Sequence, residues 1–99
     1  MMAFIQLIEY TTSKPEEVAA VYTEWEQASQ GNRTARRAVT TTDRNDPKRF
    51  CEIVFFDSYE SAMKNSELPQ TQEYARKLRE LMDGEPTFRD LDVAEDREL

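Results

Sequence analysis

The segment Met2-Ala3-Phe4-Ile5-Gln6-Leu7-Ile8-Glu9-Tyr10 reads as a strand that is apolar on both faces. Side chains alternate across a strand. Phe4, Gln6, Ile8 and Tyr10 therefore share one face, and Ile5 and Leu7 share the other. A strand in a chain of 99 residues usually has one dry face and one wet face. Here both need cover, and the chain has helices enough for only one. A second copy of the chain most simply covers the other, which predicts a homodimer with sheets back to back.

The size allows one core. Apolar residues make up 38% and charged residues 33%, with a net charge of −7. Disorder is the opposing reading for so polar a chain. The periodic placement of the apolar residues, ten aromatics among them, argues against it. The one cysteine, Cys51, cannot form an internal disulfide, which suits a reducing cytoplasm. No stretch has the pattern of a signal peptide or the length to span a bilayer, so a cytoplasmic protein without membrane contact is expected.

Charge is unevenly spread. From Arg33 to Arg49 six cations face only Asp43 and Asp46. Nucleic acid is not an expected partner, because the whole chain is acidic and phosphate binding needs a broad basic footprint. The bland reading is solvated charge around a hairpin. The sharper one turns one or two arginines, Arg37 among them, toward a pocket that receives an anionic ligand.

Ser13 and Glu16 have capping-box spacing, and Pro15 suits a first helical turn. Val18, Val21, Tyr22 and Trp25 then fall on one helical face. Gly31-Asn32 is a plausible stop. Thr34 to Thr42 is rich in β-branched residues and reads as strand two. Asp43 to Pro47 is a turn. Strand three runs from Arg49 to Phe56 and is two-sided like strand one, so these two are expected at the centre of the sheet. Asp57 with Glu60 offers a second capping pair. A short helix over residues 59–65 follows, then a break at Pro69 and a longer helix with Thr71, Tyr74 or Ala75, Leu78 and Leu81 or Met82 on its inner stripe. Thr87 to Val93 is a fourth strand, and residues 95–99 form a frayed polar tail after a single domain over residues 1–94. The order β-α-β-β-α-α-β is that of an α+β, ferredoxin-like split βαβ with its second helix broken. Right-handed crossovers put both helical layers on one face of a four-stranded antiparallel sheet. Pairing two bare faces makes a dimeric α+β barrel.

The chain has no histidine, one cysteine and two glycines. Metal binding of the Cys/His type, a nucleophilic triad and glycine-rich phosphate loops are not in prospect, and no metal or cofactor is expected. What remains are polar residues in apolar settings. Gln6 lies between Phe4 and Ile8; it is either satisfied by a neighbour or orients a ligand. Glu52 lies between Phe50 and Val54 on a central strand. Arg36, Arg37 or Arg89 could pair with it; otherwise it is a general base with a raised pKa. Tyr22 and Trp25 either fill the core or line a slot for a planar aromatic ligand. Arg89, Asp90 and Asp92 on the last strand suit salt bridges between subunits.

Phe55-Phe56-Asp57-Ser58-Tyr59-Glu60-Ser61-Ala62-Met63-Lys64-Asn65-Ser66, then Leu68-Pro69-Gln70-Thr71-Gln72-Glu73-Tyr74, resembles the shoulder and long helix of the antibiotic-biosynthesis-monooxygenase-like family. The apolar first strand and Lys14-Pro15-Glu16-Glu17 extend that resemblance over about residues 2–93. It implies a homodimer with a pocket in each protomer between helices and sheet. Members include cofactor-free oxygenases of quinols or polyketide aromatics, haem-degrading monooxygenases and small isomerases. Carried onto this chain, Gln6 stands near the polar position of strand one. Trp25 and Tyr74 stand near the pocket, and Asn65 stands where many members have a histidine. The iron-ligating histidine of the haem-degrading branch has no counterpart among Gln72, Glu73 and Tyr74. Asparagine can orient or stabilise an anion but cannot take a proton. Loss of the proton then falls to Glu52, Tyr74 or the substrate's own acidity; the candidate catalytic residues are Glu52 and Asn65, and Gln6, Tyr22, Trp25, Arg37 and Tyr74 are candidates for binding the ligand. The expectation is a cofactor-free monooxygenase-like enzyme acting on a small planar phenolic, quinol or polyketide-type molecule. The alternatives are a non-catalytic ligand- or partner-binding dimer of the same fold, and an isomerase or cyclase.

Overall fold

The computed structural model describes residues 3–99. Met2, which the alternation places at the start of the first strand, lies outside the described residues. The chain runs β1 (Phe4–Thr11), α1 (Pro15–Ala28), β2 (Arg37–Thr42), β3 (Arg49–Phe56), α2 (Tyr59–Glu67), α3 (Pro69–Leu81), β4 (Thr87–Asp92). The strands form one antiparallel sheet in the order β2-β3-β1-β4. The two strands that are apolar on both faces are thus the central ones. This is the ferredoxin-like β-α-β-β-α-α-β arrangement with helices packed on the sheet.

Register decides which face the helices cover. Phe4 pairs with Phe56, Ile8 with Glu52 and Tyr10 with Phe50. On the covered face Phe4, Phe56, Ile8, Tyr10 and Glu52 are all buried. Ile8 and Tyr10 pack with Val18 of α1, Leu78 of α3 and Met82, while Phe4 and Phe56 pack with Ala62 of α2. Burying a large apolar side chain is worth about 1.5–3 kcal/mol. Of the stripe Val18, Val21, Tyr22, Trp25, Val18 and Trp25 are buried and Tyr22 reaches the sheet beside Glu52, whereas Val21 lines a groove against α3.

Local signals differ from the expected ones at three points. Lys14, not Ser13, precedes α1, and no side chain caps that helix. Thr12 takes over instead: it is 1% exposed, its hydroxyl accepts from Lys14 N at 3.0 Å, and it donates to Leu81 O at 2.6 Å. One threonine therefore ties the start of α1 to the end of α3. The cap of α2 is Ser58 with Ser61, not Asp57 with Glu60. Ser61 N donates to Ser58 Oγ at 3.0 Å, and Ser58 N donates to Ser61 Oγ at 3.2 Å. Asp57 is drawn away by an ion pair with Arg36 at 2.7 Å. Finally β2 starts at Arg37 rather than Thr34. Thr34 is taken up by α2: its N–H donates to Asn65 Oδ1 at 3.1 Å and its hydroxyl to Ser61 O. Gly31, at φ +85°, turns the chain after α1, a conformation that a Cβ would disfavour.

Candidate functional site

The covered face is not filled evenly. Between the sheet and the helices lies a cavity of about 60 Å³ lined by Gln6, Ile8, Tyr22, Trp25, Ala38, Glu52, Val54, Phe56, Asn65, Thr71 and Tyr74. A second cavity of about 300 Å³ lies toward Tyr10, Thr12, Val18, Thr40 and Phe50. Tyr22 and Glu52 line both. Only the second reaches the lower end of ordinary ligand-site volumes. A groove of about 340 Å³ between α1 and α3 shares Trp25 and Tyr74 but does not reach Glu52.

Glu52 is the chemical centre of this arrangement. It sits at mid-β3 opposite Ile8, on the face that the helices cover, and it is 3% exposed. The arginines that could have paired with it are engaged elsewhere. Arg36 holds Asp57; the Arg37 guanidinium lies 5.6 Å from the Phe55 ring centre; Arg89 pairs with Glu9 at 3.2 Å. Among the described residues no cation pairs with Glu52. Its partners are tyrosines. Tyr74 donates to Glu52 Oε2 at 3.3 Å, a long contact for a hydroxyl donor. Burial pushes the Glu52 carboxyl above the usual carboxylate range, and hydrogen bonding from Tyr10 and Tyr74 opposes only part of that rise. Burial and the nearby Glu52 in turn push the hydroxyls of Tyr10, Tyr22 and Tyr74 up, so they remain protonated donors.

Three aromatic rings wall the cavity. Tyr22, Trp25 and Tyr74 have centroid separations of 5.6, 6.2 and 5.9 Å. Trp25 is fixed by an indole N–H donated to Thr71 Oγ1 at 2.9 Å. Asn65 is 7% exposed, and its Oδ1 accepts from Thr34. That carbonyl oxygen is therefore partly committed to structure. Gln6 donates from Nε2 to Asp90 Oδ1 at 3.2 Å across β1 and β4, the neighbour-satisfied outcome, while still lining the cavity.

Gln6, Tyr22, Trp25, Glu52, Asn65 and Tyr74 thus meet around one cavity. Arg37 does not. Its register partner is Phe55, so it stands on the other face of the sheet; with Arg33 and Arg36 it contributes to a rim depression at the end of α1. Sequence reasoning missed Tyr10, Thr71 and Arg33. Tyr10 could have been found, since it shares a face with Glu52 one pair along the register. Thr71 falls on the inner stripe of the long helix by its spacing, but its bond to Trp25 spans 46 residues between two helices and has no local signal.

No family model matches the sequence, and no curated protein matches it either. Solved structures do. SnoaB, a cofactor-independent oxygenase from Streptomyces nogalater, superposes with a TM-score of 0.82 at 12% identity, over 97% of this chain and 97% of that one. A candidate antibiotic biosynthesis monooxygenase from Nitrosomonas europaea gives 0.79 at 12% identity, over 94% and 91%. A conserved protein from Methanosarcina mazei Go1 gives 0.79 at 12%, over 93% and 94%. The fold is therefore that of the antibiotic-biosynthesis-monooxygenase structures, as the sequence resemblance implies. No helix among the described residues is long and apolar enough to cross a membrane.

Proposed function

We propose that this chain is a cofactor-free monooxygenase-like enzyme that oxidises a small planar phenol, quinol or polyketide-type aromatic in the cavity beside Glu52. The observation that carries this reading is a buried carboxylate without a cation, on the wall of an aromatic-lined cavity. An unpaired buried carboxylate is costly to a fold that has no use for it. Its raised proton affinity brings it closer to that of a phenol, which is what a general base needs.

In the proposed reaction Glu52 takes the phenolic proton, and Tyr22, Trp25 and Tyr74 hold the ring. The phenolate passes one electron to dioxygen, giving a phenoxyl radical and superoxide. These combine at a ring carbon. Loss of water from the hydroperoxide then turns that C–H into a carbonyl. One oxygen atom ends in the product and one in water, whose two hydrogens come from the phenol and the ring carbon. In this reading Asn65 and the tyrosine hydroxyls donate to the developing anion. The fold neighbour SnoaB is a cofactor-independent oxygenase, which supports the oxygenase reading. The reading includes a homodimer through the open sheet face, where Ile5, Leu7, Val39, Ile53, Phe55 and Leu91 lie together.

Oxygen uptake with hydroxylated planar aromatics tests it. Uptake is expected from the native chain and is expected to fall by about 10²-fold or more in Glu52→Gln. Undiminished uptake in that variant would remove Glu52 as the base. A second reading, a non-catalytic binding dimer, draws on the small inner cavity and on the structural bond of Asn65. Saturable binding of such aromatics with no oxygen uptake would favour it.

A further inference from the structure

The cavity opens toward a depression of about 180 Å³ at the end of α1, with which it shares Tyr22, Trp25 and Ala38. The depression is lined by Arg33, Arg36 and Arg37 against one carboxylate, Glu26, in a chain whose net charge is −7. The three cations are not equivalent. Arg36 is neutralised by Asp57, and Arg37 lies against Phe55. Arg33 has no carboxylate partner among the described residues. Its guanidinium lies 5.6 Å from the centre of the Trp25 indole, the ring that also walls the cavity. It is held there through Nη1, which donates to Glu26 O at 2.7 Å and to Ser29 Oγ at 3.4 Å. Its hydrogen bonds to the protein use Nη1, which leaves the Nε–Nη2 edge free. That edge is the fork that binds a carboxylate with two parallel bonds.

We propose that Arg33, seated on Trp25 at the cavity rim, is an anion subsite, and that the ligand is a planar phenol carrying a carboxylate at its far end from the hydroxyl. This rests on the reading of the cavity as an aromatic-binding site and names the class of ligand within it. The rings of Tyr22 and Trp25 bridge the two recesses. A rigid aromatic acid then places its hydroxyl toward Glu52 and its carboxylate toward Arg33. The opposite orientation sets two carboxylates against each other and is disfavoured. The subsite therefore also sets which end of the ligand meets the base.

The test compares 6-hydroxy-2-naphthoate with 2-naphthol, which has the same ring and hydroxyl but no carboxylate. Dissociation constants are measured by calorimetry at low and high salt for the native chain, Arg33→Gln and Arg33→Lys. The acid is expected to bind the native chain about tenfold or more tighter than the naphthol, as a charge-assisted bidentate bond allows. That advantage is expected to shrink with salt, to vanish in Arg33→Gln and to survive only in part in Arg33→Lys. The ratio of the two affinities is the readout, so a general loosening of α1 does not imitate the result. If Arg33→Gln does not fold, Arg33→Lys carries the comparison. Equal affinities in the native chain, or an advantage unchanged by either substitution, would overturn the subsite while leaving the aromatic cavity standing. Binding of neither compound would overturn both.

Discussion

The two faces of the sheet are built from the same strands and differ in what is sunk into them. The covered face combines Phe4, Ile8, Tyr10 and Phe56 with Gln6 and Glu52, and the helices leave space around Glu52. The open face is apolar at its centre, with Ile5, Leu7, Ile53 and Phe55, and its charges sit in Arg37, Arg49 and the Glu9–Arg89 pair. The covered face thus carries a buried carboxylate without a cation beside a cavity, whereas the open face keeps its charges at the surface around a continuous apolar centre.

Truncation of adjacent phenylalanines gives the largest test of that contrast. Phe56→Ala, which empties a core position 2% exposed, is expected to cost about 3–5 kcal/mol in denaturant unfolding at any protein concentration. Phe55→Asp, one residue away on the open face, is expected to act through association. The native Tm should rise with protein concentration, and the variant should lose that dependence and run as a monomer by light scattering. A native chain that is monomeric at micromolar concentration would leave the open face without its second copy.

A smaller effect is expected from Glu52→Gln. The folded-state pKa of Glu52 is raised, so between the unfolded and folded values the native chain binds more protons than the unfolded one. Stability from this group is therefore complete below the unfolded pKa and is lost as pH rises through the folded one. Glutamine keeps an acceptor for Tyr74 without the buried charge. The variant should be more stable than the native chain at neutral pH by about 1 kcal/mol, a Tm rise of about 4–8 °C for a domain of this size. The gain should disappear near pH 4, which a pair of thermal melts checks. A variant less stable than the native chain at both pH values would mean that the carboxylate is structural.

Gln6→Leu should have the smallest effect on stability. It removes a single exposed hydrogen bond to Asp90, worth about 1 kcal/mol or less. Binding of naphthol should nonetheless weaken measurably, because Gln6 lines the cavity. Unchanged binding together with a lower Tm would make Gln6 a purely structural residue.

Much of the fold was legible because it rests on alternation. Two-sided strands must be central, and Val18, Val21, Tyr22 and Trp25 at helical spacing must share a face. Caps were less legible, because several nearby residues compete for the same backbone donors. Ser58 and Ser61 close a cap that Asp57 and Glu60 could also have made, and Asp57 was lost to Arg36. The candidate site was legible in part. Glu52, Gln6 and Trp25 stood out as polar or aromatic residues in telling positions, and their convergence with Asn65 and Tyr74 followed. Arg37 went to the opposite face, because one step along a strand reverses a side chain's direction.

What the sequence by itself determined is therefore the order of elements, the two-sided central strands and the set of residues that share a face with Glu52, since all three follow from local periodicity. Tertiary structure decided which face the helices cover and that tyrosines rather than arginines surround Glu52. It also decided that Arg33 comes to rest on Trp25. These depend on packing between elements far apart in the chain, where register and competition for partners settle contacts that no local pattern encodes.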